Sequence, residues 1–410
     1  MDSSGPSRRL VMREEARRFE GHKKLALLHQ KLALTTFPDE LEDTGWKYGA
    51  PLADVRRLVE RWGNCDVDRH GTSNIHYVHM KSAVAGAIPL LVVHGWPGSF
   101  LEVRKLAPLL IEGTTDLPAF HLVALSVPGY GFSQRPSTKG FDFDQYAEVI
   151  GNRSLALRTS RIIFRTPQIT SRMAKLYGGT HIKAWHAAVM AHLRKTEKER
   201  LAKNALFLSR GLGYARQQST QPQTLGYSLA DSPVGLLAWI YEKLVRWADE
   251  YPWTDDEANA GVVLTWVSIY WFSRAGPTAS LRVSFEGANR NFDAMFAVSR
   301  PPPTIPLGIS HFPKDVLVFP RRCVSISHTF PELNHAIEYC IKCVSWTRVI
   351  GNIVFDGEHE SGGHFAAYEK PEELVDDLRK MFGKGGLTFG VVDGRSGYMC
   401  RCSLSTCTGF

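Results

Sequence analysis

The sequence predicts an α/β fold with a mostly parallel sheet. Two uninterrupted apolar runs, 88–93 and 122–127, each end in a Gly-rich turn, at 94–99 and 128–133. Between them, apolar residues recur at helical spacing over 101–110. A strand–helix–strand unit of this kind joins parallel strands, and such sheets bind ligands at the carboxyl ends of their strands. The two turns are therefore the first candidates for a functional site.

The remaining elements are predicted from the same periodicities. Residues 22–62 are expected to be helical with a break at Phe37-Pro38-Asp39, and alternation over 75–79 predicts a short strand. Residues 370–382 are predicted to form the last helix because Pro371 and two acids open it. Further predictions are an amphipathic helix at 234–248, a mostly buried helix at 262–273, short strands at 305–310 and 351–355, and a linker at 301–303.

The composition is that of a soluble globular protein. Of its residues, 44% are hydrophobic, 22% charged and 11% aromatic. The length of 410 residues suits two or three domains, or one large core with insertions. No stretch approaches about 18 uninterrupted apolar residues, and residues 1–24 lack an apolar segment, so we expect neither a membrane span nor a secretory signal. The net charge of +8 leaves a nucleic-acid binder as an alternative. We expect no nucleic-acid partner, because no Lys/Arg run is interleaved with aromatic residues.

The seven cysteines do not form a clear metal site. Cys340-x-x-Cys343 matches half of a zinc site, but no second pair or paired histidine completes a tetrahedral set, so coincidence is the better explanation. An odd count without an export signal indicates a reducing compartment. We therefore predict a cytoplasmic protein without a metal.

Two Gly-rich motifs are candidates for chemistry. In His94-Gly95-Trp96-Pro97-Gly98-Ser99, tight turning can leave backbone N–H groups pointing at a ligand, as in an oxyanion hole; a plain turn is the alternative. In Gly362-Gly363-His364, the histidine precedes the final helix and is placed as a general base would be; a structural histidine is the alternative.

Several segments together resemble the microsomal-type epoxide hydrolases, which are α/β-hydrolases with an extra N-terminal helical domain. Residues 28–62 and 72–80 resemble that N-terminal domain. The other matching segments occur in the family's order at His94–Ser99, Pro128–Ser133, Ser219–Thr224, Asp231–Ile240 and Gly362–Ala367.

The resemblance implies an α/β-hydrolase fold with a helical cap and an N-terminal helical extension. The implied boundaries are a disordered tail over 1–21, an N-terminal domain over 22–105 that overlaps the first core strand, a core over 72–204 and 301–388, a helical cap over 205–300, and an irregular tail over 389–410.

The resemblance also implies hydrolysis of a small apolar epoxide to a vicinal diol, without a metal or organic cofactor. In the family, an aspartate attacks an oxirane carbon, and a histidine oriented by an acid activates the water that cleaves the resulting ester. By position, His364 matches the base, Asp315 the orienting acid, and Tyr214 a cap tyrosine that donates to the epoxide oxygen. Without the family match, Asp315 suits a helix cap and Tyr214 a core aromatic.

The turn after the first core strand matches the family's oxyanion-hole and binding segment. Trp96 is implied as a contributor through its backbone, with His94, Gly95 and Pro97 beside it. The resemblance leaves a homodimer open.

The family's nucleophile is missing from the sequence where the resemblance places it. Its Gly-Gly-Asp-Trp-Gly motif falls near Phe164, and no Asp or Glu occurs from 149 to 196. No Gly-x-Ser-x-Gly pentapeptide supplies a serine instead. We therefore expect this chain to lack turnover through an alkyl ester. The alternatives are a non-catalytic relative that binds a ligand, and an esterase-type hydrolase.

Other segments also differ from the family, and the resemblance stops abruptly where each of them begins or ends. The second cap tyrosine is replaced by Ser284 or Phe285, and residues 63–71, 321–344 and 395–410 do not follow the family pattern. Two arginines interrupt 155–164, so we expect the central strand there to be strained or absent. We hypothesise an imperfect gene model with misplaced splice junctions or a shifted reading frame. A transcript that reads continuously through 149–168 as given would refute this.

Overall fold

A computed structural model describes residues 23–63, 75–156, 160–161, 195–253, 257–287, 305–317 and 352–399. Its strands are β1 (Tyr77–Met80), β2 (Ile88–Val93), β3 (Phe120–Leu125), β4 (Ser160–Arg161), β5 (Pro306–His311) and β6 (Asn352–Glu358). Its helices are α1 (23–33), α2 (Leu52–Gly63), α3 (Leu106–Ile111), α4 (Phe143–Ala156), α5 (Lys195–Leu206), α6 (Gly213–Thr220), α7 (Pro222–Asp231), α8 (Pro233–Arg246), α9 (Glu257–Trp271), α10 (282–287), α11 (Ala366–Glu369) and α12 (Pro371–Phe382). Among these, no helix has the length and hydropathy needed to cross a membrane.

The strands confirm the predicted α/β fold. Four of them form a sheet in the order β1-β3-β2-β4, and β5 pairs with β6. β2 and β3 are parallel, from Ile88 opposite Phe120 to Val93 opposite Leu125. Every pairing in the described part of the chain is parallel except that of β1, which runs antiparallel to β3.

The central strand β2 is buried on both faces, and this explains its purely apolar sequence. Successive side chains of a strand point to opposite faces. Leu91 and Val93 join the core that includes α2, α8 and α9, whereas Leu90 and Val92 join the core that includes α3 and α12. The sheet therefore lies between two helical layers.

Two predicted boundaries are corrected by local chemistry. The helix expected over 101–110 is a 3₁₀ turn at Phe100–Arg104 followed by α3. Pro108 has no N–H to donate to the Arg104 carbonyl, so one continuous helix cannot form. The strand expected over 122–127 begins earlier because Phe120 is fully buried against Phe382, with ring centroids 6.1 Å apart.

The predicted central strand at 155–164 is represented by β4, two residues that pair with Leu90 and Leu91 of β2. Several predictions lie outside the described residues. These are the nucleophile region at 162–168, the linker at 301–303, the Cys340–Cys343 pair and the terminal segments 1–21 and 400–410.

Candidate active site

The turn that follows β2 is held to the end of β3 by His94. Nδ1 of His94 donates to the Gly95 carbonyl at 2.9 Å, and its Nε2 accepts from the Val127 N–H at 3.2 Å. These bonds require the neutral ring with its proton on Nδ1. Burial lowers the pKa of His94 to about 4, so the imidazole is neutral at pH 7. His94 therefore braces the turn and carries no charge.

The same turn is anchored from behind by a buried tyrosine. Tyr270 of α9 accepts from the Gly98 N–H at 2.7 Å and donates to the Gly98 carbonyl at 2.8 Å. The carboxyl of Glu102 lies against Gly98 and accepts from the Ser99 N–H, and burial raises the pKa of Glu102 to about 8. Gly98 is thus fixed on both sides.

These contacts decide which backbone groups of the turn remain available to a ligand. The Gly98 N–H is already bonded, the Gly95 carbonyl is taken by His94, and Pro97 has no N–H. In the parts of the chain that the structure describes, no group accepts from the Trp96 N–H. The Trp96 N–H is therefore available to donate to a ligand at this turn.

A histidine–carboxylate pair joins the loops that follow β5 and β6. Nδ1 of His364 lies 2.8 Å from Oδ1 of Asp315. The His364 side chain is 6% exposed and that of Asp315 is 28% exposed, so the pair is shielded without being sealed. Oδ1 of Asp315 also accepts from the Val316 N–H at 2.7 Å, which fixes its orientation. The structure brings together the two residues that the sequence predicted as a pair.

The two loops are bound to each other through their backbones. The His359 N–H donates to the His311 carbonyl at 3.0 Å, and the Lys314 N–H donates to the Gly362 carbonyl at 2.9 Å. From α5, Nζ of Lys203 donates to the Asp315 carbonyl at 2.9 Å. These bonds hold Asp315 beside His364 because neither loop can shift alone.

Aromatic rings connect this pair to the turn after β2. Trp96 and Tyr214 are stacked, with ring centroids 5.1 Å apart and an interplanar angle of 8°. Trp247 contacts Tyr214 at 5.0 Å and His364 at 5.1 Å. Burial raises the pKa of the Tyr214 phenol well above its usual value, so the group stays protonated and can donate. Trp96, Tyr214, Trp247 and His364 form one continuous wall, which we call the aromatic wall.

The position predicted for a second cap tyrosine holds no phenol in the structure. Ser284 of α10 donates from Oγ to Oε1 of Gln218 at 3.0 Å, and Gln218 is fully buried on α6. Phe285 lines a shallow cleft with Arg282 and Glu286. Tyr214 is thus the phenol that the structure places on the aromatic wall.

Comparison with known proteins identifies the family. Models described as "Epoxide hydrolase N terminus" and "alpha/beta hydrolase fold" match residues 64–103 and 88–160. A putative epoxide hydrolase of Stigmatella aurantiaca is 30% identical over 386 residues, covering 87% of this chain and 81% of that protein. The chain belongs to the epoxide hydrolase family.

Other members of the epoxide hydrolase family agree with this assignment. Epoxide hydrolase 1 of Sus scrofa is 29% identical over 418 residues, covering 87% of this chain and 85% of that protein. The solved structure of the Aspergillus niger epoxide hydrolase has a TM-score of 0.62 at 26% identity, covering 87% of this chain and 92% of that one. The silkworm (Bombyx mori) juvenile hormone epoxide hydrolase shares the fold, with a TM-score of 0.65 at 21% identity and coverage of 86% and 90%. The family and the α/β-hydrolase fold predicted from the motifs are confirmed.

Some residues around the site of this epoxide hydrolase-family chain carry no signal in the sequence. Trp247 looked like one apolar position of an amphipathic helix, yet α8 ends at Arg246 and Trp247 contacts His364. Asp249 and Glu369 bond the backbone around His364. Such roles depend on contacts between distant segments, which a local pattern does not encode.

Proposed function

We propose that this chain binds a small apolar epoxide at the aromatic wall and that His364 and Asp315 are its water-activating pair. The 2.8 Å contact between Nδ1 of His364 and Oδ1 of Asp315 carries the proposal. It is supported by the position of Tyr214, whose ring stacks on Trp96 at 5.1 Å beside the turn after β2.

Each group has a distinct role in this proposal. Asp315 accepts from Nδ1–H, which leaves Nε2 of His364 without a proton and able to take one from water. In a chain that carries the family's aspartate, the carboxylate attacks an oxirane carbon and the ring C–O bond breaks onto the epoxide oxygen. The activated water then attacks the carbonyl of the resulting alkyl ester, and cleavage of that ester releases the diol and regenerates the aspartate. Tyr214 donates its phenol hydrogen to the epoxide oxygen during ring opening. The Trp96 N–H donates to the oxyanion formed during ester hydrolysis and stabilises it.

A second candidate function is ligand binding without turnover, and one observation favours it for this sequence. An alkyl ester requires a carboxylate, and residues 149–196 contain none. Glu102 is an unsuitable substitute because its carboxyl lies behind Gly98, bonds Ser99, and is largely protonated at pH 7 with a pKa of about 8. We therefore propose that this chain keeps the residues that hydrolyse the ester and lacks the carboxylate that forms it.

Styrene oxide hydrolysis separates the two candidates. The chain as given is expected to bind styrene oxide, measured by quenching of tryptophan fluorescence, and to release no diol. A variant carrying Ile162→Gly, Ile163→Gly, Phe164→Asp, Arg165→Trp and Thr166→Gly restores the nucleophile motif and is expected to form diol. No diol from this variant, once shown to be folded, would overturn the roles of His364 and Asp315. If the unaltered chain releases diol and His364→Ala does not, the proposal that the nucleophile is missing is wrong.

Two narrower statements, on the domain boundaries and on the location in the cell, are also proposals. The domain boundaries given above are supported by the packing of α2 on the cap, where Nε1–H of Trp62 donates to Oγ of Ser268 at 2.9 Å. A cytoplasmic location rests on the cysteine pattern. An esterase-type activity is not proposed, and p-nitrophenyl acetate is expected to give no turnover.

A further inference from the structure

The backbone on either side of His364 is held by one partly buried carboxylate. Glu369, the last residue of α11, accepts from the Phe365 N–H at 2.9 Å through Oε1 and from the Gly363 N–H at 3.0 Å through Oε2. Its Oε2 also accepts from the Asp249 N–H at 2.6 Å. The two loop amides that Glu369 binds belong to the residues immediately before and after His364.

The segment Trp247–Asp249, which we call the strap, bonds the remaining amides of the loop. The His364 N–H donates to the Trp247 carbonyl at 2.8 Å, and the Gly362 N–H donates to Oδ2 of Asp249 at 2.7 Å. Every N–H group from Gly362 to Phe365 is therefore bonded to the strap or to Glu369. A Cβ on Gly363 would lie 2.6 Å from the Trp247 carbonyl, so the contact leaves no space for a side chain.

We infer that Glu369 is a positioning residue that joins the His364 loop to the strap and thereby sets where the imidazole meets Asp315. The inference rests on the proposed function, in which His364 handles water. The strap also carries the Trp247 ring, which contacts both Tyr214 and His364. One carboxylate thus aligns the predicted base with the wall that holds the predicted epoxide-oxygen donor.

The chemistry of the contact requires a carboxylate. An ionised carboxylate only accepts hydrogen bonds and has several lone pairs for three N–H donors. A glutamine has one acceptor oxygen, and its NH₂ group would face a backbone N–H. Since a displacement of about 1 Å in a catalytic group can reduce a rate by about 10²-fold, a loosened loop would affect chemistry before it unfolds the protein.

Glu369→Gln in the full chain tests the inference, with Glu360→Gln as the matched control because Glu360 is exposed and lies on the same loop. The first readout is the downfield NMR resonance of the His364 Nδ1–H, identified by its loss in His364→Asn. The second is amide hydrogen exchange at Gly363 and Phe365. Glu369→Gln is expected to broaden or shift the resonance and to speed exchange about tenfold, corresponding to one weakened hydrogen bond. Glu360→Gln is expected to change neither.

Each outcome decides the question. If Glu369→Gln leaves both readouts as in Glu360→Gln, the positioning role is overturned. If Glu369→Gln does not fold, Glu369→Asp keeps the charge but shortens the side chain by one methylene and withdraws the carboxylate from the Gly363, Phe365 and Asp249 N–H groups; an unchanged His364 resonance in that variant overturns the inference. If the resonance responds but the nucleophile-restored chain forms no diol, the proposed function fails and the positioning role stands.

Discussion

Nδ1 of His364 lies 2.8 Å from Oδ1 of Asp315, although the two residues are 49 positions apart in the sequence. The contact forms because β5 and β6 are parallel neighbours, so the loops after them emerge at the same edge. Backbone bonds between those loops, including that of the Lys314 N–H to the Gly362 carbonyl at 2.9 Å, keep the pair together. The pair is therefore a product of the strand pairing.

Tyr214→Phe is expected to weaken epoxide binding without harming the fold. Phenylalanine keeps the ring that stacks on Trp96 and loses only the phenol donor. A lost hydrogen bond of about 1 kcal/mol corresponds to roughly fivefold weaker binding. Fluorescence titration with styrene oxide measures this, with Tyr227→Phe as control because Tyr227 is 71% exposed. Equal dissociation constants for the two variants would remove Tyr214 from the site.

His94 is expected to make the protein less stable as the pH falls from about 6.5 to about 4. In that window the unfolded chain binds a proton at His94 and the folded chain does not, so acid favours unfolding. The full effect is on the order of 3 kcal/mol. Urea unfolding at several pH values should show a flatter profile for His94→Gln. His29 is exposed, so His29→Gln should keep the pH dependence of the original chain. If the free energy of unfolding of His94→Gln changes with pH as it does in the original chain, His94 is not a buried neutral ring.

Glu102 is expected to have the opposite dependence on pH. Its pKa is raised by burial from 4.5 to about 8. Between these values the folded chain keeps a proton that the unfolded chain has lost, so the free energy of unfolding falls as the pH rises. Glu102→Gln cannot ionise and should lose this decline, whereas the exposed Glu148→Gln should retain it. The free energy of unfolding is compared at pH 5 and pH 8 for the original chain and the two variants. If it changes by the same amount in all three proteins, Glu102 does not have a buried carboxyl.

Gly363→Ala is expected to destabilise the protein by about 1–3 kcal/mol, since its Cβ would meet backbone atoms that cannot move aside independently. The nearest is the Trp247 carbonyl oxygen, at 2.6 Å. The control is Gly213→Ala at the start of α6, where nothing lies within 4 Å of the added Cβ. Thermal unfolding should show a lower midpoint for Gly363→Ala only. Similar midpoints for both variants would mean that the strap is not packed against the His364 loop.

The parts of this molecule that the sequence predicts best are those set by local pattern. The run 88–93 is apolar at every position, and β2 has those bounds because both of its faces are buried. The helix expected over 101–110 was wrong in form because helical periodicity ignores the missing N–H of Pro108. The extent of β2 and the interruption of the helix at 101–110 are both set by residues within the segment itself.

The candidate site likewise contains residues that could be predicted from the sequence and one that could not. The pairing of His364 with Asp315 came from a family resemblance, since spacing alone left a structural histidine and a capping acid as alternatives. The link between Glu369 and the strap could not be predicted, because it joins the Glu369 side chain to the backbone of Asp249, 120 residues away. Contacts between a side chain and distant backbone leave no mark on periodicity or composition.

The most direct measurement is the intact mass of the nucleophile-restored chain carrying His364→Ala after exposure to styrene oxide. If His364 activates the water that cleaves the ester, the mass should increase by one substrate molecule and remain so, while the same chain with His364 present returns to its original mass and releases diol. Diol release at the same rate from both chains would contradict the account.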